Sequence, residues 1–179
     1  MTEVDQPLTD TRAHEPPYFA VSSRKLVILS IASLGLYDLF WMYQQWRRER
    51  DRSGDLISPF WRALFGWFFA YSLFRRIQGV AATASVRVGY SAGWLAVAFL
   101  VINACWRLPP PYFLVSFFRF VALLPVRHVI EEINSAASPL ADKNDRFSWA
   151  NLALASGGGL VFLFGVWAAF QPQEATGAR

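Results

Sequence analysis

Long apolar segments separated by polar or arginine-rich connections most constrain what this chain can fold into. The first of them, residues 26–43, reads LVILSIASLGLYDLFWMY and carries a single charge, Asp38. The hydrocarbon core of a bilayer is about 30 Å thick, and a helix needs roughly 20 apolar residues to cross it. A run of this length and charge content therefore predicts a membrane helix.

The composition of the chain agrees with this interpretation. Of its 179 residues, 54% are hydrophobic and 17% are charged, whereas a soluble domain has about 45–50% apolar and about 25% charged residues. This excess of apolar residues argues against a water-soluble enzyme.

The sequence predicts an all-α fold, an integral membrane helical bundle with about five membrane-embedded helices, four to five of them full spans. The single membrane domain covers residues 24–170, after a disordered polar tail over residues 1–23 and before a short polar tail over residues 171–179. Its predicted helices cover residues 24–48, 59–78, 89–106, 111–137 and 148–170.

The second helix leaves two arrangements open. Only about 18 Å of uncharged helix separates Arg62 from Arg75, which is short for a full span. If this helix crosses, Lys and Arg residues divide almost evenly between the two sides of the membrane. If it dips in and returns, they collect on one side, as the positive-inside rule requires. The charge distribution favours the second arrangement, with the N-terminus outside and the arginine-rich connections in the cytoplasm.

Two charges, Asp38 and Arg119, fall inside predicted spans. A charge near the bilayer centre costs at least ~3 kcal/mol on insertion scales, so each should face the bundle and find a partner. We predict that they form an intramembrane polar pair that sets the register of two helices. The alternative is that Arg119 binds an anionic ligand on the lining of a small pathway.

A group of seven arginines lies around the polar connections: Arg47, Arg48, Arg50, Arg52, Arg62, Arg75 and Arg76. Arginines near a membrane surface attract anionic lipids by roughly 1 kcal/mol each, and they also fix topology. Glu49, Asp51 and Asp55 dilute this basic cluster, which favours the topological role. Nucleic acid is a poor partner for charges set against membrane helices.

Other chemistry finds little support in the sequence. The single Cys105 and the two histidines, His14 and His128, exclude a disulfide framework and make a metal site untenable. The glycines Gly157, Gly158 and Gly159 lack the Lys-Ser/Thr continuation of a phosphate loop. They predict close helix packing, with a flexible gate as the alternative. We predict no catalytic residue, cofactor or metal.

Three blocks of the sequence resemble a known family. Residues 23–47 form a hydrophobic helix pattern in which aromatic residues recur at intervals. The residues that carry this pattern are Lys25, Ser33, Leu34, Gly35, Tyr37, Trp41, Tyr43 and Trp46. Residues 57–77 and 107–134 carry further similarity. The pattern resembles the bacterial membrane proteins grouped as domain of unknown function 4234, with departures at Ser33, where Thr is more usual, and at Asp38. The resemblance implies helical hairpins in a bacterial cytoplasmic (inner) membrane and implies no reaction or ligand.

These observations predict a multi-pass membrane protein that acts as a non-enzymatic interaction or structural component of a bacterial membrane. Its expected partners are membrane lipids and either a second copy of the chain or another membrane protein. The alternative is a small transporter or channel subunit that uses the polar face around Arg119. A lipid-modifying enzyme is the weakest of the three because the sequence offers no cluster of titratable groups at one depth.

Overall fold

The computed structural model describes residues 16–139, residues 144–149 and positions 151, 153, 156, 157, 160, 163, 164 and 167. The described part of the chain is helical and contains no strand, so the predicted all-α class is confirmed there. Its helices are α1 (Ser23–Ala32), α2 (Leu36–Ser53), α3 (Pro59–Leu64), α4 (Gly66–Thr83), α5 (Ala92–Ala104) and α6 (Leu124–Ala137). A 3₁₀ turn (Cys105–Arg107) follows α5, and a 3₁₀ helix (Tyr112–Leu123) leads into α6.

Helices α1 and α2 form a first hairpin. The chain reverses at residues 33–35, where Leu34 and Gly35 have φ angles of +55° and +82°, and the Gly35 amide donates to the Ser30 carbonyl at 2.8 Å. Beyond the turn, α2 runs back alongside α1. Its Glu49 accepts a hydrogen bond at 3.0 Å from the hydroxyl of Tyr18, which precedes α1. The start of the first arm, before α1, and the last part of the second arm, at the end of α2, therefore lie close to each other.

Helices α3 and α4 form a second hairpin beside the first. The helical path breaks at Phe65, and a Cβ on the next residue, Gly66, would lie 2.8 Å from the Met42 sulfur of α2. Farther along α4, Arg76 lies 3.1 Å from Glu49. The turn at residues 64–66 therefore points the same way as the turn at residues 33–35.

The third hairpin pairs α5 with the 3₁₀ helix, which continues into α6. Arg127 donates to the Val21 carbonyl at 2.7 Å, at the start of α1, whereas Arg119 donates to the Gly35 carbonyl at 2.7 Å, at the tip of the first hairpin. The 3₁₀ helix runs on from Arg119 toward Tyr112 for about 14 Å at ~2.0 Å per residue. The turn between the third hairpin's two arms thus lies beyond the tip of the first.

All three turns lie at one end of the molecule, called here the tip end. The opposite end, called the open end, holds the chain before α1 and the C-terminal parts of α2, α4 and α6. The tip end is covered by exposed aromatic and aliphatic side chains. They include Phe40, Phe60, Trp61, Phe65, Trp67, Phe68, Val101, Trp106, Tyr112 and Phe118.

The predicted bundle of four to five full spans is not confirmed by the described part of the chain. The continuous helix predicted over residues 24–48 is broken, because the left-handed residues Leu34 and Gly35 end the first arm after ten helical residues, about 15 Å. The helix predicted over residues 59–78 is broken at Phe65 and extends to Thr83. Among the described residues, one stretch, Tyr112–Ala137, is long and apolar enough to cross a membrane.

The other predicted boundaries have mixed outcomes. Ala92–Arg107 forms a shorter apolar helix that begins three residues after the predicted range 89–106 begins and ends one residue beyond it. Most of the helix predicted over residues 148–170 lies outside the described residues, as do residues 1–15 and the tail over residues 171–179.

The predicted disordered tail over residues 1–23 includes a segment that is packed in the structure. Tyr18 is fully buried, and its backbone N–H and C=O pair with the Asn134 side-chain amide at 3.0 and 2.9 Å. Gln45 holds the backbone of Phe19 in the same way, at 3.2 and 2.9 Å. The side-chain amides of Asn134 and Gln45 thus supply the backbone hydrogen bonds that a neighbouring strand would supply in a sheet. They hold this extended segment between α2 and α6.

Candidate functional site: a polar cluster and a cleft at the tip end

A polar cluster around Arg119 lies at the tip of the first hairpin. It joins the turn between α1 and α2 to the end of α5 and to the 3₁₀ helix. The Nε of Arg119 lies 3.0 Å from Asp38 Oδ2, and its terminal nitrogens donate to Asn103 Oδ1 at 3.2 Å and to the Gly35 carbonyl at 2.7 Å. The structure thus brings together the two residues that the sequence predicts as a polar pair. It also adds two acceptors, Asn103 and Gly35, that the sequence did not identify.

The Asp38 side chain is only 1% exposed, and both of its carboxylate oxygens are used. Arg119 contacts one oxygen, and the Ser30 hydroxyl donates to the other. Ser33 completes the turn by accepting a hydrogen bond from the Tyr37 amide at 2.9 Å. A buried carboxylate needs such partners, because an unpaired buried charge is strongly unfavourable. The cluster therefore fixes the reversal between α1 and α2.

Gly35 is required here for two reasons. Its φ of +82° lies in the left-handed region, which residues with a Cβ rarely adopt. A Cβ at this position would also overlap the guanidinium of Arg119, lying 2.6 Å from its Cζ. The close approach of Arg119 to the backbone carbonyl thus depends on the missing side chain.

A cleft of about 730 Å³ opens beside this cluster. The N-terminal part of α2, the α3–α4 turn and the tip-end part of α5 form its walls, and most of the lining is apolar. The charged residues in the lining are Asp38, Arg107 and Arg119. Asp38 and Arg119 neutralise each other, so the exposed Arg107 gives the lining a net positive charge.

A second, apolar groove of about 460 Å³ lies next to the cleft, between α4 and α5. Trp67 and Leu100 line both spaces. The remainder of the groove is lined by Phe68, Tyr71, Gly93, Ala96 and Val97. A cleft with charged residues that lies beside an apolar groove suits an amphiphilic molecule better than a fully polar one.

Two arginines of the predicted basic cluster, Arg52 and Arg76, lie in an ion-pair network at the open end. Glu49 is 1% exposed and contacts Arg52 at 2.8 Å and Arg76 at 3.1 Å, while Arg76 also reaches Asp55 at 2.7 Å. The hydrogen bond from Arg76 lowers the pKa of Asp55. Arg62 stacks over the Trp46 ring at 4.5 Å. These side chains tie the first hairpin to the second.

The other arginines of the cluster lie nearer the surface. Arg50 pairs with its neighbour Asp51 at 2.9 Å, and Arg75 donates to the Tyr71 hydroxyl at 2.8 Å. Arg47 is exposed and Arg48 is half-buried. Their roles in topology or in binding anionic lipid stay predictions.

The glycine and metal predictions fall partly outside the described residues. At Gly157 a Cβ would meet no atom within 4 Å, so no close packing is seen around this residue in the described part of the chain. Gly158 and Gly159 lie outside the described residues. Within the described ranges, no three His, Cys, Asp or Glu side chains are grouped so that they could hold a metal ion.

Sequence reasoning missed Asn103 and Gln45, and it treated Glu49 only as a charge that dilutes the basic cluster. The available signal was weak, since each is a single polar residue on a helix with many possible partners. Comparison with known proteins adds no further residues, because no family model, curated protein or solved structure matches the chain.

Proposed function

We propose that this chain is a membrane-embedded structural or interaction protein without enzymatic activity. The observation that carries the proposal is the distribution of side chains at the tip end, where apolar rings and branched chains face outward and polar groups face inward. Soluble monomers rarely expose apolar patches larger than a few hundred Å². A surface of this kind is favourable when lipid surrounds it.

In the proposed placement, the first and second hairpins enter the membrane and return to the same side. An arm of about 15 Å reaches half-way through a core of about 30 Å. The third hairpin extends farther and carries Trp106 and Tyr112 near its turn, where aromatic residues suit the opposite interface. Non-helical backbone at residues 33–35 is tolerated at this depth because protein surrounds it.

The arginine-rich open end then lies in the cytoplasm of a bacterial cell, according to the positive-inside rule. The contact between Tyr18 and Glu49 supports placing the segment before α1 on that side too, and not outside as the sequence suggested. The proposed membrane is the bacterial cytoplasmic membrane, in line with the proposed kinship to domain of unknown function 4234.

The role of the Arg119 cluster supports a structural function. Its bonds to Asp38, Asn103 and Gly35 use three of the five N–H donors of the guanidinium. A catalytic group needs a partner that is free to change during a reaction. In this protein, the ion pair of Asp38 and Arg119 holds the helices in register. The outer surface of the bundle is then free to bind a second copy of the chain or another membrane protein.

Two fractionations of the tagged full-length chain test this proposal. We expect the protein to stay in the membrane pellet after washing with sodium carbonate at high pH, because its apolar tip end is embedded. In mild detergent it should purify with a stoichiometric partner, either itself or another membrane protein. Release into the carbonate supernatant contradicts the membrane placement, and a monomer without a stoichiometric partner contradicts the interaction role.

A second candidate function is favoured by the cleft. An opening of about 730 Å³ next to an ion pair, below hairpins that enter the membrane only part-way, is an arrangement seen in transporters with broken helices. A small transporter subunit would use this cleft as its access path.

A further inference from the structure

The cleft and the apolar groove together have the shape and charge of a site for one amphiphilic molecule. They adjoin each other at Trp67 and Leu100, which line both spaces. Polar groups are concentrated in the cleft, and the groove is lined by aromatic, aliphatic and small side chains. A molecule with a charged head and an alkyl chain satisfies both parts at once.

The sign of the head group follows from the charged residues in the lining. The salt bridge between Asp38 and Arg119 cancels two charges, and Arg107 adds one positive charge at an exposed position. Planar guanidinium groups recognise phosphate through paired hydrogen bonds.

We propose that the cleft binds an anionic phospholipid, with the phosphate at Arg107 and one acyl chain in the groove between α4 and α5. This site rests on the proposed membrane placement, which supplies the ligand at high local concentration. It lies at the tip end, so it is distinct from the basic cluster at the open end. The bound lipid fills the space between the second and third hairpins and joins them.

Lipid retention by the full-length protein tests the site. Protein purified in neutral detergent is mixed with phosphatidylglycerol and phosphatidylcholine of the same chain length, and the mass of the intact complexes gives the affinity for each lipid. We expect one phosphatidylglycerol to bind roughly fivefold more tightly than phosphatidylcholine, since an arginine near the head group contributes about 1 kcal/mol. Arg107→Gln should remove this preference, whereas Arg87→Gln, an exposed arginine outside the cleft, should keep it.

A second pair of variants tests the acyl-chain part. Ala96→Trp fills the groove and should lower retention of both lipids, while Ala98→Trp, on the exposed side of the same helix, should leave it unchanged. Gly93→Leu repeats the test if Ala96→Trp fails to fold, as judged by melting in detergent.

Several outcomes would overturn the site. They are equal binding of the two lipids by the unmodified protein, a preference that survives Arg107→Gln but is lost in Arg47→Gln, and unchanged retention in the groove variants. The second outcome would assign the lipid to the basic cluster instead. Failure here in a protein that resists carbonate extraction refutes the lipid site alone, whereas carbonate release refutes the membrane placement itself.

Discussion

Replacing Arg119 with Leu is expected to reduce the folded yield of the protein sharply, and Asp38→Asn is expected to do the same. Each change removes one partner of a buried pair and leaves the other without compensation, which costs about 3–5 kcal/mol. The loss should be larger for Arg119→Leu, because the Gly35 carbonyl and the Asn103 side chain also lose their donor. Resistance to unfolding by sodium dodecyl sulfate, followed by circular dichroism, measures the effect.

The double variant Asp38→Leu/Arg119→Leu provides the control. Removing both charges leaves no ion unpaired, so much of the lost stability should return. Losses that simply add would show that the two side chains do not interact in the folded protein. That result would move Arg119 from a structural role to one of binding an external anion.

Gly35→Ala is expected to be one of the most destabilising small substitutions in the chain. The left-handed backbone at this residue costs about 1–2 kcal/mol once a Cβ is present, and the new methyl group would also displace Arg119 from the carbonyl that it binds. The total should therefore exceed ~3 kcal/mol, because displacement of Arg119 also weakens the buried pair with Asp38. Detergent melting curves of the purified protein measure the difference.

Gly54 offers a matched control for this prediction. It also has a positive φ, +70°, but a Cβ there would meet no atom within 4 Å. Gly54→Ala should thus cost only the backbone term of about 1–2 kcal/mol. Equal losses at the two glycines would mean that contact with Arg119 contributes nothing to the requirement for glycine at residue 35.

The polar pair could be predicted from the sequence, whereas the path of the chain could not. Asp38 and Arg119 are charges within apolar segments, and the cost of burying a lone charge makes a partner necessary. Apolar length, however, is the same for a helix that crosses and for a hairpin that returns. Whether residues 26–43 continue or reverse depends on Gly35, and an isolated glycine is tolerated within membrane helices.

The contacts at the open end illustrate a second limit. The segment around Tyr18 looks like a polar tail because prolines and acids surround it. Its order comes from the Asn134 amide, 116 positions away in the chain, and from the buried Glu49. A local pattern cannot predict such pairings, because each of these side chains could equally face solvent.

The side of the membrane on which each connection lies is the most direct measurement of the proposed placement. Single cysteines at Arg24, Asp51, Arg87 and Leu108, in a Cys105→Ser background, can be labelled in intact cells or inverted vesicles with a maleimide that does not cross the membrane. These four positions are exposed in the structure. Cysteines at Arg24, Asp51 and Arg87 should all react from the cytoplasmic side, and the cysteine at Leu108 should react from the opposite side. Labelling of the Arg24 and Asp51 positions from opposite sides would mean that residues 26–43 cross the membrane, and the first hairpin could not then exist.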